Sequence, residues 1–174
     1  IGFKPDFLRS VENANDTATI QDVLLEVVNN FENLNDVYDV VCLMYATAPL
    51  VQADDLKEAW DMFYRSDKSR RLMAVSKYPT PVEWALQVFD EKEVVSPINP
   101  ELYVKSSHDF KPAYYDTGTF SFFTKKQILE QDKCLQYFAY IIDNIKGIDI
   151  DTLDDWTLVE KLYNYHYGID NNEF

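Results

Sequence analysis

The sequence predicts an α/β fold, with a mostly parallel sheet between helices and a β insertion between about Val82 and Ala113. An uninterrupted helical stripe places apolar residues at i, i+3, i+4, i+7, i+8 and i+11 from Ile20 to Phe31. The short apolar run Val40–Met44 has the composition of a strand buried on both faces, and Leu72–Ser76 is predicted as the next strand. The amphipathic segment Ala53–Tyr64 separates them, so a right-handed βαβ unit is expected if the strands are parallel.

The remaining elements follow from local signals. Thr17 or Asp16 is available to cap the first helix, and Pro49 ends the first strand. The segments on either side of the acidic stretch 90–93 predict a β-hairpin, and the proline-bearing stretch 99–113 predicts an extended arm. The later elements are expected to be a strand at Thr119–Phe123, a helix at Lys125–Tyr140 and an amphipathic helix from Trp156 to Tyr163.

Composition and charge exclude several classes of protein. A chain of 174 residues that is 47% apolar can bury a core, and most such chains form one domain. The net charge of −14, with 30 acidic against 16 basic residues, argues against nucleic-acid binding, which needs a basic surface. No apolar run approaches the roughly 20 residues of a membrane helix. Only Cys42 and Cys134 occur, with Cys42 expected to be a buried thiol, so a reducing, cytoplasmic setting is predicted.

The stretch GIDIDTLDDW, at 147–156, contains four carboxylates, at 149, 151, 154 and 155. In an extended segment Asp149 and Asp151 share one face, where Mg²⁺ would offset their repulsion. Alternatively, these are ordinary carboxylates beside a helix start, and Thr152-x-x-Asp155 has the spacing of a capping box. Spacing alone leaves both interpretations open. In α/β sheets ligands bind at the carboxyl ends of strands, here 45–49, 77–81 and the loop before Thr119.

Three stretches together resemble one enzyme family. YATAPLVQADDL (45–56), YYDTGTFSFF (114–123) and GIDIDTLDDWTLVEKL (147–162) are similar, in order and spacing, to the cytidylyltransferases that make CMP-activated nine-carbon acidic sugars. The likeness is closest to the pseudaminic acid branch, with the sialic acid enzymes as relatives. It implies a nucleotidyltransferase that moves CMP from CTP to the sugar and releases pyrophosphate. It also implies a Rossmann-like, three-layer fold of the nucleotide-diphospho-sugar transferase type.

The resemblance assigns roles to the matching residues. Asp149 and Asp151 correspond to the family's metal-holding pair, so they are expected to bind Mg²⁺ and to be catalytic. Lys77 is a further candidate from its place at the end of the second predicted strand. The residues that the resemblance implies for substrate binding are Lys4, Tyr45, Thr47, Asp116, Thr117 and Gly118.

The resemblance spans about Ile1 to Gly168 as one domain, followed by a polar tail at 169–174. The segment 82–113 corresponds to the family's dimerisation segment, which implies a homodimer. The family's basic, glycine-bearing phosphate loop has no counterpart here, so the sequence is expected to be a truncated version or a degenerate relative. Two other hypotheses stay open: a non-catalytic sugar-binding or subunit-pairing module, and a glycosyltransferase with an Asp-x-Asp motif. The position of the aspartates close to the C-terminus disfavours the latter.

Overall fold

The computed structural model describes residues 4–89, 94–131 and 134–167. The helices in these ranges are α1 (Ile20–Asn33), α2 (Ala53–Arg65), α3 (Pro100–Tyr103), α4 (Lys125–Leu129) and α5 (Leu153–Tyr167). The strands are β1 (Val40–Met44), β2 (Leu72–Lys77), β3 (Leu86–Phe89), β4 (Val94–Pro97), β5 (Tyr114–Thr124) and β6 (Phe138–Ile141). The predicted polar tail and the turn of the predicted hairpin lie outside the described residues.

Four strands form a mixed sheet in the order β1-β5-β2-β6. Strand β5 is antiparallel to β1, with Val40 opposite Thr124. Phe138 N donates to Arg71 O, and Ile142 N donates to Val75 O. Both partners move forward along the chain from the first bond to the second, so β6 and β2 are parallel. The α/β class is confirmed. The sheet is mixed and not mostly parallel as predicted, because β5 runs antiparallel and separates β1 from β2.

The predicted hairpin forms a second sheet, in which β3 pairs with β4 in antiparallel register. Leu86 lies opposite Pro97, and Phe89 lies opposite Val94. The arm that follows is not fully extended, since α3 and a single 3₁₀ turn at Ser107–Asp109 interrupt it. The capping box at that turn, in which the Ser106 hydroxyl accepts from His108 N, explains why it coils.

One compact unit comprises Ile1–Met44, Leu56–Met73 and Phe120–Phe138. Its core is a cluster of buried apolar side chains on α1, β5 and α4: Leu24, Val28, Phe123 and Ile128. Helix α1 begins at Ile20, where the predicted stripe begins, but its cap is Thr19 and not Thr17 or Asp16, because Thr19 and Asp22 form a reciprocal capping box. Lys4, one of the predicted site residues, lies in this unit and is exposed.

The expected helix over Lys125–Tyr140 is wrong. The capping box of Thr124 and Gln127 starts α4, but Gln131 adopts a positive φ of 49° that is incompatible with a continuing helix. The chain then forms β6, whose side chains alternate in burial. Phe138, Ala139, Tyr140 and Ile141 are all apolar, so this alternation in burial has no period-2 counterpart in the sequence.

Strand β1 is half-buried, not buried on both faces as predicted. In the sheet formed by the described residues it is a terminal strand and pairs with β5 on one side only. Cys42 and Met44 are therefore exposed on it, and the expectation that Cys42 is buried is wrong.

A second compact unit comprises Tyr45–Asp55, Ala74–Thr119 and Ala139–Phe174. Its buried apolar side chains come from the loop after β1, from β2, from the end of β6 and from α5: Ala48, Leu50, Ala74, Val75, Ile142 and Val159. Buried hydroxyls join its segments, because Ser76 Oγ donates to Ile142 O at 2.9 Å and Thr117 Oγ1 donates to Ala74 O at 3.0 Å. All predicted site residues except Lys4 belong to this unit.

Candidate active site

Three segments that are far apart in the sequence meet in the second unit. Ile150 N donates to Thr47 O at 3.0 Å, which joins the aspartate segment to the loop after β1. Tyr45 N donates to Thr119 O at 2.9 Å, which joins the same loop to β5. A Cβ placed on Gly118 would lie 2.9 Å from Asp149 Oδ2, so β5 also touches the aspartate segment. These are the three stretches that the sequence analysis singled out.

Asp149 lies where these three segments meet. Its side chain is half-buried, and its Oδ1 atom is buried without a hydrogen-bond partner among the described residues. A buried carboxylate oxygen without a donor is costly, and native proteins almost always provide one. A bound cation would supply the missing partner, and carboxylate oxygen is a ligand that Mg²⁺ prefers. The residues present therefore fit a divalent metal.

Asp151 differs from Asp149 in its surroundings, because its side chain is exposed. Within the described ranges, no cluster of three or more acidic, histidine or cysteine side chains is arranged to hold a metal ion. An ion at this site would thus be bound by one or two carboxylates, with water and substrate oxygens completing its coordination. This is the usual manner in which proteins bind Mg²⁺ next to phosphates.

Asp155 caps the helix that follows. Its Oδ2 atom accepts from Thr152 Oγ1 at 2.7 Å and from Thr152 N at 2.8 Å, while Asp155 N donates to Thr152 Oγ1 at 3.2 Å. The hydrogen bonds from Thr152 hold the pKa of Asp155 below its usual range. The predicted capping box is confirmed for this pair, so Asp155 is engaged at the helix start.

Gly118 is required by the geometry around Asp149. Its φ of +61° is strained for any other residue, and a Cβ would collide with Asp149 Oδ2. Asp116 Oδ1 accepts from Gly118 N at 3.0 Å and fixes the local bend, while the Asp116 side chain stays exposed. The Thr117 hydroxyl is buried, lies 2.8 Å from Thr119 Oγ1 on the same strand, and joins β5 to β2 through its bond to Ala74 O.

An ion pair that the sequence did not indicate lies next to the aspartate segment, with Asp55 buried and Lys146 partly buried. Lys146 Nζ lies 2.8 Å from Asp55 Oδ1 and 3.0 Å from Asp55 Oδ2. Gln52 N and Tyr140 OH also donate to this carboxylate, at 2.9 and 3.3 Å. The pair ties the start of α2, just after the 45–50 loop, to the turn that leads into the aspartates.

Gly147 fits closely into the same unit. A Cβ there would lie 2.7 Å from Ser76 Oγ and 2.9 Å from Thr117 Cγ2, so the aspartate segment approaches β2 and β5 as only a glycine allows. Gly147 opens the stretch 147–156 that the sequence already marked, and Lys146 stands directly before it, so nearness to the aspartates was the signal for both. Asp55 gave none, because its partner lies 91 residues away in the sequence.

The other predicted residues have less specific surroundings. Thr47 is exposed at its side chain, and its carbonyl makes the contact to Ile150. Tyr45 is half-buried, and Lys77 is exposed at the end of β2. The structure thus joins the segments that carry Tyr45, Thr47, Asp116, Thr117, Gly118, Asp149 and Asp151.

The chain is similar to curated bacterial enzymes over nearly its whole length. It is 30% identical over 168 residues to the pseudaminic acid cytidylyltransferase of Campylobacter jejuni serotype O:2, covering 95% of the chain and 72% of that enzyme. The corresponding enzyme of serotype O:23/36 is 29% identical over the same shares of each chain. The CMP-N,N'-diacetyllegionaminic acid synthase of Legionella pneumophila is 26% identical, covering 92% of the chain and 69% of that enzyme. No protein-family profile matches the chain.

Proposed function

Because the chain belongs to the family of cytidylyltransferases that activate nonulosonic acids, we propose that it transfers CMP from CTP to such an acid and releases pyrophosphate. The relatives are named for pseudaminic and N,N'-diacetyllegionaminic acid, and the higher identity favours pseudaminic acid as the acceptor. The chain is therefore a nucleotidyltransferase.

The reaction places strong demands on charge. The anomeric hydroxyl oxygen of the sugar attacks the α-phosphorus of CTP, its proton is lost, and the bond to the β-phosphate breaks with its electrons on pyrophosphate. Both substrates are anionic, and the chain itself carries a net charge of −14. Catalysis of such a step consists mainly of positioning and of neutralising phosphate charge.

The observation that carries the proposal is the buried Oδ1 of Asp149, which lies where three segments meet and has no hydrogen-bond partner in the described part of the chain. We propose that Asp149 and Asp151 hold Mg²⁺ at this point, with Asp149 as the principal ligand because Asp151 is exposed. Bound there, the ion would neutralise phosphate oxygens and acidify the attacking hydroxyl. Asp149 contributes a fixed carboxylate, and Gly118 leaves space beside it.

The other site residues receive substrate roles. Tyr45 and Thr47 are proposed to line the sugar side, because their loop contacts the aspartate segment directly. The loop Asp116–Gly118 is proposed to contact substrate through its exposed Asp116 side chain and its backbone, since the Thr117 hydroxyl is already hydrogen-bonded. Lys4 is proposed to bind an anionic group.

A homodimer through the segment 82–113 is proposed as the assembly. Its two-stranded sheet exposes apolar side chains on both faces, Leu86, Val88 and Val95 on one and Val94 on the other, which supports a protein-protein contact. A cytoplasmic location and a Rossmann-like, three-layer core in one domain are proposed with it. Within the residues that the structure describes, no helix is long and apolar enough to cross a membrane.

Incubation of the protein with CTP and Mg²⁺, with either pseudaminic or N,N'-diacetyllegionaminic acid added, tests the proposal. Pyrophosphate release and the mass of the CMP-sugar are measured together. We expect both signals with at least one acid, and none when UTP replaces CTP. Binding of an acid without any pyrophosphate release would instead support the non-catalytic module.

A further inference from the structure

A cleft elsewhere in the second compact unit is lined by basic side chains and by none that is acidic among the described residues. It has a volume of about 260 Å³ and lies between the loop after β2 and the segment before β5. Its polar lining is provided by Lys77, Thr80, Ser107 and Lys111. Among the described residues that line this cleft, none is an aspartate or a glutamate.

The charge of this lining is opposite in sign to the net charge of the whole chain. Acidic residues outnumber basic ones by 30 to 16, so a cleft with two ammonium groups and no described carboxylate is not an average sample of the surface. Neither Lys77 nor Lys111 forms an ion pair with a carboxylate in the described part of the chain. Their charges are therefore available to a ligand, and each lysine has three donors for oxyanion oxygens.

The walls of the cleft are held in place before any ligand binds. Tyr78 N donates to Ala113 O at 3.0 Å, which links the two walls through their backbones. The rings of Tyr78 and Tyr115 pack with centroids 5.0 Å apart. The φ angles of the prolines on both walls are fixed, so little backbone entropy remains to be lost on binding: Pro79, Pro81 and Pro112.

The cleft and the candidate active site share the same strands. Lys77 directly follows Ser76, whose Oγ would lie 2.7 Å from a Cβ on Gly147 at the start of the aspartate segment. Ala113 on the other wall leads into β5, and Asp116 follows three residues later, about 10 Å along an extended strand. One substrate molecule of nucleotide or sugar size can therefore approach both places.

We propose that this cleft is an oxyanion-binding subsite, in which Lys77 and Lys111 hold a carboxylate or phosphate group of a substrate. Ser107 and Thr80 provide neutral donors at its edge. The identity of the bound group rests on the proposed function, because carboxylate would come from the acidic sugar and phosphate from CTP. The presence of an anion site does not rest on it.

Isothermal titration of three probes tests this subsite: pseudaminic acid, CTP and inorganic pyrophosphate, each in the presence of Mg²⁺ at constant ionic strength. The variants are Lys77→Met, Lys111→Met and the double variant. Lys105→Met is the matched control, because Lys105 is exposed on the same segment but does not line the cleft. All of these lysines are exposed, and unchanged melting temperatures would verify that each variant folds.

We expect each cleft variant to weaken binding of at least one probe by about tenfold, as loss of a charge-assisted hydrogen bond requires. Weaker binding of the sugar alone assigns the site to its carboxylate, whereas weaker binding of CTP or pyrophosphate assigns it to phosphate. The subsite is rejected if the double variant binds all three probes with the same affinity as Lys105→Met. It is also rejected if the wild type binds none of the probes. Turnover by the wild-type protein decides the proposed function separately.

Discussion

The ion pair between Lys146 and Asp55 allows a quantitative prediction about what positions the site. Substitution of Lys146→Met removes the ammonium group but keeps a long, apolar side chain. Asp55 is then left as a buried carboxylate, since its side chain is 8% exposed, whereas the Lys146 side chain is 32% exposed. Breaking a fully buried pair costs about 3–5 kcal/mol. Because Lys146 is partly exposed and Asp55 keeps two other donors, we expect about 2–3 kcal/mol.

Urea unfolding measures this loss, with Lys161→Met as the control. Lys161 is exposed on α5 and forms no ion pair within the described residues, so its substitution is expected to change the free energy of unfolding by less than about 0.5 kcal/mol. Adding Asp55→Asn to Lys146→Met removes the stranded charge and is expected to recover part of the loss. Equal stabilities of Lys146→Met and Lys161→Met would refute a supporting role for the pair.

Three further predictions concern local features of the same unit. Gly118→Ala is expected to lose at least about 1–2 kcal/mol from its left-handed backbone, and to abolish the rise in melting temperature on adding Mg²⁺, because its methyl group would displace Asp149. Thr152→Ala is expected to lower the melting temperature by about 2–4 °C at neutral pH. Because the folded-state pKa of Asp155 is lowered, the stabilisation from this cap is fully present above the usual pKa of 3.8 and is lost as the pH falls through the folded-state pKa. A difference in melting temperature between the wild type and Thr152→Ala that stayed constant down to acid pH would contradict this. Val88→Lys is expected to halve the mass measured by light scattering, because Val88 is 69% exposed on the proposed dimer surface; an unchanged dimer would place the interface elsewhere.

Elements with a strong local pattern were predictable from the sequence. The stripe of α1 and the two apolar runs gave the helix and strands β1 and β2 nearly at their observed limits. The capping box of Thr152 and Asp155 was also predicted, because both partners lie within one turn. Such features depend on neighbouring residues only, so spacing alone identifies them.

Features that depend on distant residues were not predictable in this way. The antiparallel course of β5 follows from pairing with β1 across about eighty residues, which no local pattern encodes. The ion pair of Asp55 and Lys146 is of the same kind. The functional stretches were found, but their convergence, and the contact between Gly118 and Asp149, appeared only in the structure.

The central claim is that Asp149 supports metal-dependent CMP transfer. Pyrophosphate release as a function of Mg²⁺ concentration, compared for the wild type, Asp149→Asn and the matched control Asp154→Asn, tests it most directly. Asp154 is an exposed carboxylate in the same stretch and is expected to be dispensable. We expect Asp149→Asn to lose at least about a hundredfold in rate at saturating CTP, on the scale of lost transition-state charge stabilisation, and the apo variant to unfold no more easily than the wild type. Activity and Mg²⁺ dependence equal to those of Asp154→Asn would contradict the claim.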